Sequence, residues 1–284
     1  MLWRLLRADL RRNRVVSLVL FAIVAVASLL ACTSAVLLSR TAVALESFWA
    51  DSRPPDIVQM HAGPLNPEDI TAWARTQPGI ADTDVMETLP VPTARLTIAG
   101  KNQADSVLEP ALVTSPKRFD LLLDESGNRV TPSPGHVWLP VYYKAENLAK
   151  KGDTVTLEVG GTPQVLTVAG FARDAQMNPS MVTSKRMVVN ESDFEAARAH
   201  LEPEYLIEFR LKEGASLQEV KDAYVHAGLP ARGVMVDSTI FALMNALSAL
   251  LLAIVATLIA GLLIVIALLA LRFAFLAAFH TDMA

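Results

Sequence analysis

The amino-acid sequence predicts an α+β extracytoplasmic domain carried on two long transmembrane α-helices, and three observations carry that expectation. Two uncharged runs, residues 15–38 and 238–271, bracket the chain. Between them, helix and strand patterns follow one another without a regular βαβ period, the mark of an α+β domain. Charge divides at nearly the same boundaries. Arg4, Arg7, Arg11, Arg12 and Arg14 crowd the first 14 residues, whereas residues 40–237 hold 19 basic against 27 acidic side chains, a net charge near −8.

Residues 1–14 place Leu2, Leu5, Leu6 and Leu10 near one helical face, with Trp3 close by and arginines opposite. This predicts a cytoplasmic interfacial helix, with Trp3, Arg4, Arg7, Arg11 and Arg12 as anchors against anionic head groups of the lipid bilayer. Residues 15–39 follow as the first span, long enough to cross the hydrocarbon core. Ala27, Ala31, Ala35 and Ser39 give it a ridge of small residues at spacing four. A secretory leader starts in the same way, and Leu29-Leu30-Ala31-Cys32 resembles a lipoprotein processing site. The apolar run continues six residues beyond Cys32, however, which suits a permanent span better than a cleaved one. Cys32 is the single cysteine, so no intrachain disulfide is possible.

The second run has 34 residues without a formal charge. At about 1.5 Å per residue it reaches roughly 50 Å, well beyond a hydrocarbon core of about 30 Å. Residues 250–271 are therefore expected in lipid, and the earlier turns, which carry Asn245 and Ser248, as a stalk. Asn245, Ala249, Ala253, Thr257 and Gly261 recur at every fourth position and form a ridge where another helix can approach closely. The arginine-rich start and Arg272 after the second run put both termini in the cytoplasm and residues 40–237 outside, with residues 272–284 as a cytoplasmic tail.

Within residues 40–237 each element has a local reason. The first helix can run on past Arg40 until Arg53-Pro54-Pro55 breaks it. Residues 56–61 alternate as a strand does, and Asn66-Pro67-Glu68-Asp69 is a helix start with a cap residue and then proline. That helix ends near Gln77-Pro78-Gly79. Strands are expected at residues 80–87, 93–98 and 107–113, and a polar loop at 123–134. A strand at 136–141, a basic helix at 144–151 closed by Gly152, and a strand at 153–159 come next. Gly160-Gly161 signals a hairpin whose partner strand is 164–171. A strand at 185–189, a helix at 192–200, a strand at 205–211, a helix at 217–227 capped by Ser216 and a strand at 232–236 complete the domain.

Leu148-Ala149-Lys150-Lys151-Gly152-Asp153-Thr154-Val155-Thr156-Leu157, then Gly160-Gly161, then Leu166-Thr167-Val168-Ala169-Gly170-Phe171 carry a resemblance. Together with residues 70–80 and the two-span layout, they resemble the first half of an FtsX-like permease of the MacB and LolC type, an ABC transporter subunit. The resemblance implies a MacB-like periplasmic core domain in a bacterial cell membrane. It also implies a separate ABC ATPase subunit, a second permease half or homodimer partner, and an extracytoplasmic peptide, lipoprotein or cell-wall protein as further partner. Such permeases continue into a coupling helix and at least two more membrane helices, whereas this sequence stops at His280-Thr281-Asp282-Met283-Ala284. A fragment, a truncated product and a half that pairs with a separately encoded partner are the readings this leaves open.

No residue pattern points to chemistry. The phosphate-loop signature is missing, the five histidines have no metal-ligand spacing, and no nucleophile elbow occurs. Asp82 and Asp84 share one face of a strand but read as a solvated face, as do Glu202, Glu204 and Glu208. Neither a cofactor nor catalysis is expected, and an acidic domain has no footprint for nucleic acid. Three function classes stand: a permease subunit driven by another chain's ATP hydrolysis, a membrane-anchored sensor or scaffold that binds without transport, and an extracytoplasmic enzyme.

Overall fold

The structure, a computed structural model, describes residues 14–177 and 182–282. Contacts divide the chain into Ser47–Asn245 and a second unit of Met1–Glu46 with Ala246–Ala284. Helix α1, Arg14–Ser52, crosses the first boundary and ends for a clear reason. Arg53 turns into the left-handed region at φ 50 and its N–H closes on the Trp49 carbonyl at 3.0 Å, after which Pro54-Pro55 cannot continue a helix. At the other end, helix α6 spans Ser238–Asp282.

Between them run β1 (Ile57–Ala62), α2 (Pro67–Thr76), β2 (Ile80–Pro90), β3 (Leu96–Ile98), β4 (Lys101–Asn102), β5 (Glu109–Val113) and β6 (His136–Pro140). After these come α3 (Val141–Ala145), β7 (Thr154–Val159), β8 (Thr162–Ala172), β9 (Ser184–Val189), α4 (Glu191–Arg198), β10 (Glu204–Leu211), α5 (Leu217–His226) and β11 (Met235–Asp237). The strands form one sheet in the order β11-β1-β10-β2-β5-β9-β6-β8-β7-β3-β4. Neighbours are antiparallel except β5–β9 and β6–β8.

Strand β2 joins two halves, because it pairs with β10 through Thr88 and with β5 only at Leu89 and Pro90. On the first half, α2 and α5 lay Ile70, Ala74, Val220 and Tyr224 against Ile57, Ile207 and Phe209. Trp73, Phe209 and Tyr224 meet edge to face with ring centroids 5.4–5.7 Å apart, which adds about 1 kcal/mol per pair to burial. On the second half, Leu89, Leu139, Tyr143, Val155, Leu157, Val168, Met187 and Phe194 form the larger core. Caps expected from the sequence are present: Asn66 accepts from Glu68 N–H at 3.2 Å and Ser216 from Glu219 N–H at 3.3 Å. Gly160 and Gly161 both hold positive φ, as the hairpin between β7 and β8 demands.

Three local expectations change. The basic helix at 144–151 is instead the short α3, which starts after Pro140 and ends before Asn147 enters the left-handed region at φ 55. Leu148 and Ala149 N–H both turn back to the Tyr143 carbonyl, and Asp153 accepts from Lys150 N–H, so side-chain and turn bonds replace helical ones. Residues 93–95 form a 3₁₀ turn closed by Arg95 N–H on the Pro92 carbonyl, and only 96–98 are extended. The last strand begins at Met235, although Arg232 and Val234 carbonyls already accept from Ala62 and Met60.

The expectation of two membrane helices is met in part. Among the described residues, Ala253–Ala270 is the one segment long and apolar enough to cross a membrane, with a mean hydropathy of 3.0. In α1 the apolar stretch is Val24–Thr33.

Candidate functional site

The roots of the two long helices within Ser47–Asn245 are the most elaborated part of the domain. Strands β1 and β11 are antiparallel neighbours, with Ile57 opposite Asp237, so the chain enters and leaves at one place. Asp56 binds that place together. Its N–H donates to Phe209 C=O, its C=O accepts from Ser238 N–H, each at 2.8 Å, and its carboxylate accepts from Leu211 N–H at 2.7 Å. Asp237 then caps α6 by accepting from Thr239 N–H at 3.1 Å, and Lys221 pairs with it at 2.8 Å. Burial works against the charge of Asp237, but Lys221 and the donors of Ile240 and Thr239 together outweigh it and hold the carboxyl below its usual range.

Behind the α1 root lies a buried set of charges. Arg186 of β9 donates from Nε and Nη2 to both oxygens of Asp174, each at 2.7 Å, and from Nη1 and Nη2 to Asp120. Asp174 also accepts from Gln176 and Met177 N–H at 2.8 and 3.0 Å, and Gln176 Nε2 donates to Glu208 at 3.1 Å. Lys185 Nζ donates to the carbonyls of Met177 and Val182 at 2.7 and 2.6 Å. The set touches the helix root directly, because Asp120 and Leu121 N–H donate to the carbonyls of Arg53 and Ser52 at 2.8 and 2.7 Å.

Burial dominates the titration of this set. It pushes Glu208 well above the ordinary carboxyl range, with the Asp120 charge adding to it, and lifts Asp120 in spite of Arg186. At Asp174 burial is also the largest effect, but Arg186 and the backbone donors together overcome it and leave the carboxyl lowered. Glu208 Oε2 accepts no hydrogen bond among the described residues, so a proton there gives it a donor where an ionised oxygen has none. Arg186 is the partner of both Asp120 and Asp174 in this set, and breaking such a buried pair from one side leaves an uncompensated charge.

The position of Glu208 corrects the sequence reading. It is 1% exposed and inside the domain, where the sequence places it on a solvated surface with Glu202 and Glu204, which are exposed. The pattern Glu204-Tyr205-Leu206-Ile207-Glu208-Phe209 sits in a strand covered on both faces, so alternation no longer marks an outer side. Asp82 and Asp84 do stand on one face and Arg118 bridges them, at 2.6 and 3.6 Å. Asp120, Asp174, Arg186 and Glu208 come from four separate segments, and no spacing links them. The one signal available is a Lys185-Arg186 pair leading into the apolar Met187-Val188-Val189.

Of the ridge on α6, Ala253 is half-buried, Thr257 and Gly261 are exposed, and Thr257 donates to the Ala253 carbonyl at 2.7 Å. A Cβ added at Gly261 meets nothing within 4 Å. The side chains of Asn245 and Ala249 lie outside the described residues, as do the anchors Trp3, Arg4, Arg7, Arg11 and Arg12.

No family model matches the chain, and no curated protein matches it in sequence. Solved structures similar to it include two bacterial ones. One is the periplasmic region of MacB from Actinobacillus actinomycetemcomitans, at 11% identity and a TM-score of 0.38 over 67% of this chain and 92% of that one. The other is a domain of a permease protein from Porphyromonas gingivalis, at 14% identity and a TM-score of 0.34 over 62% of this chain and 83% of that one. Likeness at this level carries no argument about what the chain does.

Proposed function

We propose that the chain is a permease subunit of an ABC transporter of the FtsX/MacB type, in which a separate ATPase moves membrane helices and the α+β domain does the work outside. The observation that supports this most is the root geometry: both long helices join neighbouring strands with no flexible linker, and Asp56 ties both to β10. A tether needs only one helix and a loose joint. Two helices fixed to one sheet edge are suited to passing a displacement of their far ends into the domain. The residue motifs at 148–171 point the same way, and the chain itself contributes no catalytic chemistry on this reading.

On this proposal residues 15–39 and 250–271 both span the cell membrane, with the domain extracytoplasmic. A reporter fused after Gly135 is then active only outside and one fused after Ala284 only in the cytoplasm; both on one side would end the two-span reading. Purified from its own membrane, the chain brings with it a nucleotide-hydrolysing subunit while hydrolysing nothing alone. ATPase activity in the isolated chain would overturn the division of labour, and a chain that holds no ATPase in intact membranes by crosslinking would favour the anchored-scaffold alternative.

A further inference from the structure

An open cleft of about 510 Å³ lies over the parallel pair β6–β8, between the loop that carries Asp124 and Glu125 and the segment from Lys144 to Lys151. Its floor is aromatic for a reason of register. Val137 lies opposite Val168 but Trp138 opposite Gly170, so Ala169 is an extra residue bulged from β8. Bulges of this kind re-aim side chains and gather beside functional sites. The indole of Trp138 then lies against Gly170, where an added Cβ would stand 2.5 Å from the ring. Trp138 remains half-buried, and so one side of it faces the cleft.

The basic wall is held in shape by its own bonds, from Leu148 and Ala149 N–H to Tyr143 and from Lys150 N–H to Asp153. Lys144 is committed to Glu125, with both carboxylate oxygens within 2.7 Å, and lies 6.0 Å from the centre of the Phe171 ring. Lys150 and Lys151 are exposed, and among the described residues their ammonium groups form no ion pair. In a domain with a net charge near −8, two unengaged cations beside an aromatic floor are a local reversal of sign.

We propose that this cleft binds an extended acidic segment of a partner protein, an apolar side chain resting on Trp138 and carboxylates meeting Lys150 and Lys151. Charge complementarity selects the acidic chain, and the concave aromatic floor selects a side chain to fill it. A flat anionic bilayer suits the site less, because the wall opposite the lysines carries Asp124 and Glu125. The proposal stands on the domain's geometry and does not require the transporter reading.

The test uses the full chain in phosphatidylcholine nanodiscs and a fluorescent peptide, acetyl-Gly-Ser-Asp-Glu-Phe-Asp-Glu-Gly-Ser, followed by anisotropy. Saturable binding is expected, weakened about tenfold or more by Lys150→Glu with Lys151→Glu, since two exposed attractions become repulsions. Lys101→Glu, an exposed charge elsewhere on the domain, should leave it unchanged. The peptide should also shield Lys150 and Lys151 from acylation in the unaltered chain, a readout independent of any variant's folding. Equal binding by the double variant, equal binding of a peptide with lysine in place of the four acids, or no saturable binding at millimolar peptide overturns the proposal. Recruitment to phosphatidylglycerol vesicles, lost in the double variant and without peptide binding, would assign the cleft to a membrane surface and overturn it too.

Discussion

Arg186→Met is the substitution with the largest effect that can be worked from the structure. The methionine keeps most of the side-chain length and removes the one cation that pairs with both Asp120 and Asp174, whose side chains are 2% and 7% exposed. Breaking a buried pair from one side costs about 3–5 kcal/mol, because the partner charges stay in a medium that cannot solvate them. For a unit of this size that corresponds to a fall in Tm of roughly 6–20 °C. Thermal unfolding of the full chain in detergent, followed by near-UV circular dichroism, measures it. Replacing all three charges together, Arg186→Met with Asp120→Asn and Asp174→Asn, should recover most of the loss, since asparagine still accepts from Gln176 and Met177 N–H. Hydrogen exchange should show the damage first at the amides of Asp120 and Leu121, which hold the α1 root. A cost below about 1 kcal/mol for Arg186→Met would refute the reasoning, since it would mean that water reaches the set.

The same set fixes the sign of a pH dependence. The Glu208 carboxyl titrates well above its unfolded value, so the folded chain holds a proton there that the unfolded chain has released. Stability from this group is full below the unfolded pKa and is lost as pH rises through the folded one. Asp174 is lowered, and its contribution runs the other way: present above the unfolded pKa and lost as pH falls through the folded one. Asp120 is raised as well and adds to the same loss, so Glu208→Gln should reduce the loss as pH rises and leave the acid side unchanged. An unaltered alkaline slope in Glu208→Gln would show that another group carries it.

Three further outcomes follow from named contacts. Gly170→Ala puts a methyl group 2.5 Å from the Trp138 ring and should cost about 1–3 kcal/mol with a shift in Trp138 emission; no change in either would mean that the indole moves freely. Asp237→Ala removes the cap of α6 and the Lys221 pair and should cost about 1–2 kcal/mol at neutral pH, vanishing below the folded pKa of Asp237, by chemical denaturation across pH. A Cβ at Gly261 meets nothing within 4 Å among the described residues, so Gly261→Leu should leave the isolated protein about as stable as before. If the chain is the proposed permease subunit, the same change in its assembly with the ATPase should lose coupling between ATP hydrolysis and external activity, while Ala270→Leu, on roughly the opposite face, should not; equal behaviour of the two would show that the ridge is not a packing surface.

Most of the element order was legible because it rests on neighbours in sequence. Asn66, Ser216 and Gly160-Gly161 act within four residues of themselves, so their caps and turn survive whatever the rest of the chain does. The helix expected at 144–151 failed because Asp153 and Tyr143 offered the backbone other partners, which no propensity records. Eleven strands in one sheet, two of the pairings parallel, depend on long-range register, and so does the burial of both faces of β10. The charge set was hidden for that reason. Glu208 has the alternation of a surface residue and becomes interior only once Asp120, Asp174 and Arg186 are brought to it from elsewhere.

That arrangement bears on how the domain can be moved. An apolar core at the helix root would tolerate small slips, since contacts between methyl groups are not directional. A guanidinium held by two carboxylates is directional, and a displacement that breaks one of its hydrogen bonds strands a buried charge. The α1 root is bonded to the strand of chain that begins at Asp120, and Asp120 is bonded to Arg186 in the middle of the sheet. Motion of the root is thus carried to β9 as a unit or resisted until the set opens. Arg186→Met should therefore lower the force at which the root gives way. Single-molecule pulling on the two helices of both forms reads that directly, and an unchanged rupture force would separate the charge set from the mechanics of the root.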